Sequence, residues 1–290
     1  MFVDIANAPI VSGKTAASPP PPGAAADWTI PQRWERFTHE DHRVWDLLFD
    51  RQQKMLSGRS VRAFEEGLDV LRLAKPGIPL LDDLNERLFA RTGWTVVSVP
   101  GLVPDDIFFD HLCHRRFPAG NFIRSADQLD YLEEPDVFHD VFGHVPLLAQ
   151  PAVADFMQAL GEEGLRALRL GALDRLARLY WHTVEFGLAR EDGRLKIYGA
   201  GILSSFGESR FALESDVPYR IEFDIRRILR TRYRPDAFQQ SYFVVDSLND
   251  LLARMLRDPL EPLYAELREL PDLDPSELQP GDLSVTQVGA

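Results

Sequence analysis

Apolar positions along most of the chain recur at the three- and four-residue spacing of an amphipathic helix. The first such run follows Thr38 and Asp41, which predict a capping box at the start of a helix. Further helices are predicted over 61–73, 80–90, 151–168, 173–188 and 248–256. Runs typical of β-strands are short and few, at 95–99, 195–198 and 242–245. The pattern therefore predicts a mainly α fold with a few short β-strands.

Composition changes near both ends of the chain. Residues 1–27 include a stretch rich in proline and alanine with almost nothing to bury, which predicts a disordered leader. Residues 259–290 are acidic, contain several prolines and lack a sustained apolar heptad, which predicts a docked or loose tail rather than a coiled coil. Residues 28–258 are expected to form a single domain.

The charge balance and the cysteine content limit the partners and the compartment. The formal net charge is -13, which disfavours nucleic acid and anionic membranes because both require a basic face. No run approaches the roughly 20 apolar residues of a membrane span. The single cysteine, Cys113, cannot form an internal disulfide, and the start of the chain lacks the pattern of a secretory signal. We therefore expect a soluble, cytoplasmic protein that binds a small molecule or another protein.

Two histidines lie in the most informative segment of the chain, PDVFHDVFGHVP at 135–146. His139 and His144 are five positions apart, which on a regular α-helix separates them by roughly 140°. We expect Gly143 to leave the helix at its end and turn His144 toward its neighbour. Pro146 is expected to prevent the helix from resuming. With this break, both histidines could bind one metal ion.

A third ligand is predicted at Glu185, which lies among apolar residues in the predicted helix over 173–188. A carboxylate in such a place costs free energy unless a cation compensates it. Two imidazoles and one carboxylate form the facial triad of ferrous enzymes that activate oxygen, but zinc hydrolases use the same ligand types. His182, on the same helix, is a rival ligand. The residues alone thus leave three hypotheses: an iron oxygenase, a zinc hydrolase with Glu133 or Asp140 as base, and a structural metal site.

Three segments in order along the chain resemble a known family. They are PDVFHDVFGHVP at 135–146, YWHTVEFG at 180–187 and YGAGILSSFGE at 198–208. They are similar to the iron-site motifs of the pterin-dependent aromatic amino acid hydroxylases, and above all to those of the short bacterial phenylalanine 4-hydroxylases. The resemblance extends from about Trp28 to about Leu256 and so covers the whole predicted domain.

The resemblance implies a catalytic domain of the aromatic amino acid hydroxylase type. It implies Fe(II) bound by His139, His144 and Glu185 rather than by His182. It also implies tetrahydrobiopterin as cofactor and a monooxygenase reaction that converts L-phenylalanine to L-tyrosine with O2. Tryptophan hydroxylation is the alternative within the family. Animal members add a regulatory domain and a tetramerising helix that we do not expect here, so the expected state is a monomer.

The resemblance also assigns roles to the residues around the iron. The residues implied in substrate binding are Arg124, which would pair with the substrate carboxylate, together with Trp181, Ser204 and Tyr131. The residues implied in pterin binding are Gly101, Leu102, Val103, Phe108, Asp140, Ala177 and Tyr180, with Phe108 stacking on the ring.

The chain departs from the animal members at three positions near the substrate and the pterin. Asp140 replaces a glutamate, and its shorter arm is expected to reach the pterin through water. Leu132 replaces a threonine near the substrate. Pro235 lies in the segment that helps to separate phenylalanine from tyrosine hydroxylation, and the absence of an acidic residue there favours phenylalanine.

Overall fold

Helices dominate the computed structural model, which describes residues 19–130, 134–256 and 259–285. The α-helices are α1 (His39–Leu56), α2 (Arg62–Leu71), α3 (Leu81–Thr92), α4 (Asp105–Cys113), α5 (Val145–Leu148), α6 (Pro151–Leu170), α7 (Leu173–Tyr180), α8 (Ala200–Leu203), α9 (Phe206–Glu214), α10 (Ile225–Arg230), α11 (Asp250–Leu256) and α12 (Leu260–Leu267). The strands are β1 (Thr95–Val99), β2 (Arg116–Gly120), β3 (Leu188–Glu191), β4 (Arg194–Ile197), β5 (Tyr219–Glu222) and β6 (Ser241–Val245). The predicted fold class, mainly α with a few short strands, is confirmed.

Two further segments are π-helices, and both carry predicted metal ligands. We refer to Phe138–His144 as the histidine π-helix and to Trp181–Glu185 as the glutamate π-helix. The histidine π-helix leads directly into α5, and the glutamate π-helix continues α7. Helices of this kind are rare and occur frequently at functional sites.

The start of α1 shows how local sequence fixes an element that supports the site. Thr38 and Asp41 form the predicted capping box, in which each side chain accepts a hydrogen bond from the other residue's backbone N–H. The buried face of α1 then packs on the histidine π-helix, with Trp45 against Phe138 and Phe49 against Phe142. The first predicted helix thus forms one wall behind the metal ligands.

The strands form one sheet of two strands and one of four. Strands β1 and β2 pair in parallel, and the other strands form a sheet in the order β4-β3-β6-β5. Strand β1 has the predicted bounds, and β4 and β6 were predicted with shifts of one residue at their ends. The strands β2, β3 and β5 were not predicted, because RFPAG and LARE lack an alternating apolar pattern and YRIE alternates over only four residues.

The predicted helix over 173–188 is wrong at its C-terminal end. Helical structure ends with the glutamate π-helix, and β3 begins at Leu188. Gly187 lies between them because a Cβ atom at that position would approach the ring of Tyr198 to 2.1 Å. The close packing requires glycine and turns the chain from the helix into the sheet.

Both predicted terminal segments make contacts with the predicted catalytic domain where they are described. Asp27, in the predicted leader, accepts hydrogen bonds from Thr29 and Arg116. In the predicted tail, α12 buries Leu263 and Leu267, and Asp282 forms a buried ion pair with Arg227. The rest of the predicted leader, 1–18, and residues 286–290 of the tail lie outside the described residues. The division of the chain at 27 and 258 stays a prediction.

None of the helices in the described ranges combines the length and the apolar character that are needed to cross a lipid bilayer.

Candidate metal centre and active site

The histidine π-helix brings together two residues that an α-helix would separate. Its hydrogen bonds join residues five apart, so positions i and i+5 lie one above the other. His139 and His144 therefore face the same side, and their Nε2 atoms are 3.3 Å apart. Phe138 and Phe142 stack on each other at a centroid distance of 4.7 Å and pack against α1. One short segment thus has an apolar side and a metal-binding side.

This geometry corrects the predicted roles of Gly143 and Pro146. The helix does not end at Gly143, and helical structure resumes as α5, with Pro146 in its first turn where a proline is tolerated. Gly143 has a packing role instead, because a Cβ atom there would lie 3.0 Å from the carbonyl oxygen of Ala200 in α8. The two histidines converge through a change of helix type and not through a helix break.

Glu185 ends the glutamate π-helix and faces both histidines. One carboxylate oxygen lies 3.1 Å from His144 Nε2, and the other lies 3.6 Å from His139 Nε2. Among the described residues, these three form the group of metal-ligating side chains whose ligand atoms all lie within 4.8 Å of one another. His182 does not belong to it, since its Nε2 lies 3.3 Å from the carbonyl oxygen of Thr231.

The spacing of these atoms fits a metal ion. Ligand atoms about 2.1 Å from an ion, at right angles to each other, lie about 3 Å apart. The three nearest separations in the group, 3.1, 3.3 and 3.6 Å, are close to that value. Two imidazoles and one carboxylate on one face of an ion leave the opposite face open to other ligands.

A serine orients the first histidine. The Ser204 hydroxyl donates its proton to the carbonyl oxygen of Ala200 at 2.8 Å, so its oxygen accepts from Nδ1–H of His139 at 2.9 Å. This hydrogen bond fixes the tautomer in which His139 Nε2 carries the free lone pair. Metal-ligating histidines are commonly held in this way by a partner on the other ring nitrogen.

The site keeps His139 and Glu185 in the protonation states that bind metal. Burial lowers the pKa of His139 to about 4, although Glu185 opposes this shift. Burial alone would raise the pKa of Glu185, but the neighbouring His144 and His139, together with Tyr180, lower it to about 2. At neutral pH His139 is therefore neutral and Glu185 is ionised, as metal binding requires.

Arg124 is held beside the metal site by a buried carboxylate. Its Nε and Nη2 atoms donate to the two oxygens of Asp136 at 2.8 and 2.9 Å. Asp136 is fully buried and also accepts from the backbone N–H groups of Arg124 and His139. Burial alone would raise the pKa of Asp136, but the guanidinium and the backbone donors hold it below its usual range. The ion pair therefore fixes Arg124 to the start of the histidine π-helix.

Comparison with known proteins decides what kind of site this is. A family model for biopterin-dependent aromatic amino acid hydroxylases matches residues 29–259. The chain belongs to this family. It is 56% identical to a phenylalanine-4-hydroxylase of Caulobacter vibrioides over 277 residues, which cover 96% of this chain and 94% of that relative. It is 50% identical to that of Chromobacterium violaceum over 259 residues, or 89% of this chain and 87% of that relative.

Solved structures agree with this assignment to the hydroxylase family. A single-residue variant of the Chromobacterium violaceum phenylalanine hydroxylase matches with a TM-score of 0.89 at 49% identity, covering 91% of this chain and 95% of that chain. The structure of the same enzyme with iron and phenylalanine bound matches with a TM-score of 0.86 at 48% identity, covering 90% and 95%.

One contact joins residues on α4 and α7 that are predicted to bind the pterin. Phe108 contacts the ring of Tyr180 edge to face at 5.5 Å, and the Tyr180 phenol interacts with Glu185. Ala177 is buried one turn before Tyr180, and Val103 is buried in the loop after β1. These contacts link the predicted pterin loop to the metal ligand through one tyrosine.

Leu102 and Asp140, which are also predicted to bind the pterin, form hydrogen bonds within the chain. The backbone N–H of Leu102, next to Gly101, donates to Glu134 at 3.2 Å. Asp140 accepts from the backbone N–H of Gly120 at 2.7 Å, and burial raises its pKa to about 7 against the effect of that hydrogen bond. Asp140 is thus fixed to the end of β2.

The residues predicted to bind the amino acid lie only partly within the described ranges. Trp181 stacks on Tyr233 and donates its indole N–H to Gln239 at 3.0 Å. The predicted contact residue Tyr131 and the neighbouring Leu132 lie outside the described residues. Asp136 and Gln239 were not predicted as site residues, because the motif spacing carries no signal for either.

His182 provides a prediction about acid stability. It is buried, and burial lowers its pKa to about 3, well below the usual 6.5. In the unfolded protein, His182 binds a proton as the pH falls below about 6.5, whereas in the folded protein it stays neutral until about pH 3. The contribution of neutral His182 to folding stability is therefore full above pH 6.5 and is lost as the pH falls toward 3. Replacing His182 by glutamine should reduce the loss between pH 6.5 and 4 by roughly 3 kcal/mol. Urea unfolding of both proteins at several pH values measures this difference, and equal pH profiles would contradict it.

Proposed function

We propose that this chain is a phenylalanine 4-monooxygenase, which converts L-phenylalanine to L-tyrosine with O2 and a tetrahydropterin such as tetrahydrobiopterin. The observation that carries the proposal is the convergence of His139, His144 and Glu185 in a member of the biopterin-dependent hydroxylases. Relatives that share half or more of its residues over most of its length are named phenylalanine-4-hydroxylases. This proposal names the substrate, the cofactor and the metal together.

The residues of the chain would bind and orient the reactants, while iron and tetrahydropterin together supply the electrons that activate O2. His139, His144 and Glu185 would hold Fe(II) on one face and leave the other face open. Ser204 keeps His139 in the binding tautomer, and Tyr180 interacts with Glu185. The protein need not provide a nucleophile.

Arg124 would bind the carboxylate of the amino acid. A guanidinium suits a planar anion because its N–H groups form a rigid fork. The Nε and Nη2 atoms of Arg124 already donate to Asp136, which fixes the plane of the guanidinium. Nη1 is the terminal nitrogen that does not donate to Asp136, and it would donate to the substrate carboxylate. Trp181, Ser204 and Tyr131 would complete the amino acid site.

The pterin would lie between the loop after β1 and the end of α7. Its proposed contacts are Gly101, Leu102, Val103, Phe108, Asp140, Ala177 and Tyr180. The contact between Phe108 and Tyr180 supports this placement, because it joins the loop side of the site to the metal side.

One assay tests the function. Anaerobic protein is loaded with Fe(II), then given O2, L-phenylalanine and tetrahydrobiopterin, and tyrosine is measured by chromatography. We expect tyrosine only when iron and pterin are both present. A zinc hydrolase would consume no O2, so a lack of pterin-dependent O2 uptake would reject the proposal. Equal turnover of tryptophan in a competition assay would reject the phenylalanine preference.

We also propose that the protein acts as a cytoplasmic monomer. The acidic charge and the single cysteine support an intracellular address. The buried positions of α12, which include Leu260, Leu263 and Leu267, lie against the same chain, so this helix does not offer that face to a partner helix. Sedimentation of a dimer or tetramer at micromolar concentration would contradict the monomer.

A further inference from the structure

The indole of Trp181 is fixed by several neighbours at the start of the glutamate π-helix. Its ring stacks on Tyr233 at a centroid distance of 4.3 Å and an angle of 18°. It also lies against Phe186 at 4.9 Å. Stacking fixes the plane of an indole but allows it to slide within that plane. The hydrogen bond from Nε1 to Gln239 Oε1 removes this freedom.

The side chain of Gln239 can present only its oxygen to Trp181. Its Nε2 atom donates to the backbone carbonyl groups of Arg234 and Ala237 at 2.8 and 3.2 Å. The amide oxygen therefore faces the indole, and the opposite orientation would place two donors against each other. Gln239 is buried, with only 3% of its surface exposed. If its amide oxygen were removed, water could not readily take its place as the acceptor for the indole N–H.

A second buried residue, Glu208, holds the backbone of Gln239. Its Oε1 atom accepts from the N–H of Gln239 at 3.1 Å and from the hydroxyl of Tyr242 at 2.8 Å. The spacing of Ser205 and Glu208 is that of a capping box, and the Ser205 side chain does accept from the N–H of Glu208. The Glu208 carboxylate, however, binds the distant loop. The segment that orients His139 through Ser204 therefore also anchors Gln239.

We propose that Gln239 is a positioning residue that sets the selectivity of the amino acid site by fixing the Trp181 indole, with Glu208 as its anchor. This inference rests on the proposed function, in which Trp181 contacts the substrate. A loosened indole would change how an aromatic ring is seated, but it would leave the metal ligands unchanged. The expected effect is therefore on KM and on substrate preference rather than on kcat.

The substitution Gln239→Met removes the acceptor and keeps the length of the side chain. We expect the KM for phenylalanine to rise about five- to tenfold, as for the loss of one buried hydrogen bond, with kcat within twofold of the original protein. The preference for phenylalanine over tryptophan should fall by a similar factor. Gln240→Met is the matched control, because among the described residues the Gln240 side chain donates to the nearby carbonyl of Phe238 and not to Trp181. It should change neither value by more than twofold.

A second background separates positioning from a general effect on stability. If Gln239 acts through Trp181, Gln239→Met should change KM by less than twofold in a protein that already carries Trp181→Phe. An equal effect in both backgrounds would overturn the proposal. The proposal would also be overturned if the original protein makes tyrosine and the Gln239→Met variant has the same KM and selectivity as the original protein. A lack of tyrosine formation by the original protein would reject the proposed function as well.

The hydrogen bond itself can be observed without turnover. In zinc-loaded full-length protein labelled with ¹⁵N-tryptophan, Trp181→Phe identifies the indole signal of Trp181. We expect this N–H to exchange slowly with deuterium oxide and its resonance to shift in Gln239→Met but not in Gln240→Met. Fast exchange in the original protein would overturn the proposal even if the Gln239 variant fails to fold.

Discussion

Replacement of Glu185 by alanine is expected to abolish tyrosine formation, with a loss of at least about a thousandfold, while the protein stays folded. The change removes the only anionic group of the triad, and the two remaining imidazoles cannot hold a divalent ion as tightly or fix its open face. The fold should persist, because Glu185 is a buried carboxylate whose partners are the two histidines and Tyr180 of the same site. Tyrosine yield, bound iron and a thermal unfolding curve measure the three parts of this prediction.

A matched control separates loss of metal from loss of a carboxylate in general. Glu214 is a glutamate near the surface that pairs with Arg59, and its replacement by alanine should leave both activity and iron content within twofold. His139→Ala should behave like Glu185→Ala, since it removes another ligand. Substantial activity with a normal iron content in either ligand variant would show that the ligand set is wrong.

The chemistry of the metal site was predictable from the sequence because it depends on residue types in two short segments. Residues 135–146 and 180–187 contain all three ligands, and their residue types already limited the site to a few classes of metalloprotein. Six of the helices, α1, α2, α3, α6, α7 and α11, were predictable for a related reason, since the apolar period is a local property. The capping box at Thr38 and Asp41 is an example in which sequence and structure agree in detail.

The geometry of the two π-helices was not predictable from the same segments. A π-helix differs from an α-helix in one hydrogen-bond register, and no residue in 138–144 demands it. Tertiary packing decides the register here. Phe138 and Phe142 are held by α1, while Gly143 is pressed against Ala200 of α8. A glycine that looked like a helix end is instead a place of close approach between two helices.

The buried polar contacts were missed because their partners are distant along the chain. Trp181 and Gln239 are 58 residues apart, and Glu208 and Gln239 are 31 apart. Periodicity has no information about such pairs. Asp136 has no local signal either, although its carboxylate accepts hydrogen bonds from Arg124 and from the backbone N–H of His139. Polar residues at motif borders are therefore the ones whose roles most need a structure.

Loss of the Asp136 carboxylate is expected to reduce both the stability of the protein and its affinity for phenylalanine. Asp136→Asn keeps the shape of the side chain but replaces one acceptor oxygen by a donor that faces Arg124. The guanidinium, 8% exposed, would then be buried without its counter-charge. Breaking a buried pair in this way costs about 3–5 kcal/mol, so the free energy of unfolding should fall by that order. The KM for phenylalanine should rise at least about tenfold, because Arg124 would no longer be held in one orientation. Urea unfolding and steady-state kinetics measure the two effects.

An exposed ion pair provides the control for this prediction. Arg115 Nη2 lies 2.6 Å from Asp155 Oδ1, and half of the Asp155 side chain is exposed. The substitution Asp155→Asn should therefore lower the free energy of unfolding by less than about 1 kcal/mol and leave the KM for phenylalanine unchanged. If Asp136→Asn behaved like Asp155→Asn in both measurements, Asp136 would be a replaceable neighbour of Arg124. If it lowered stability alone, Arg124 would not bind the substrate carboxylate. Only a joint change in stability and KM supports an arginine that the fold holds in place for the amino acid.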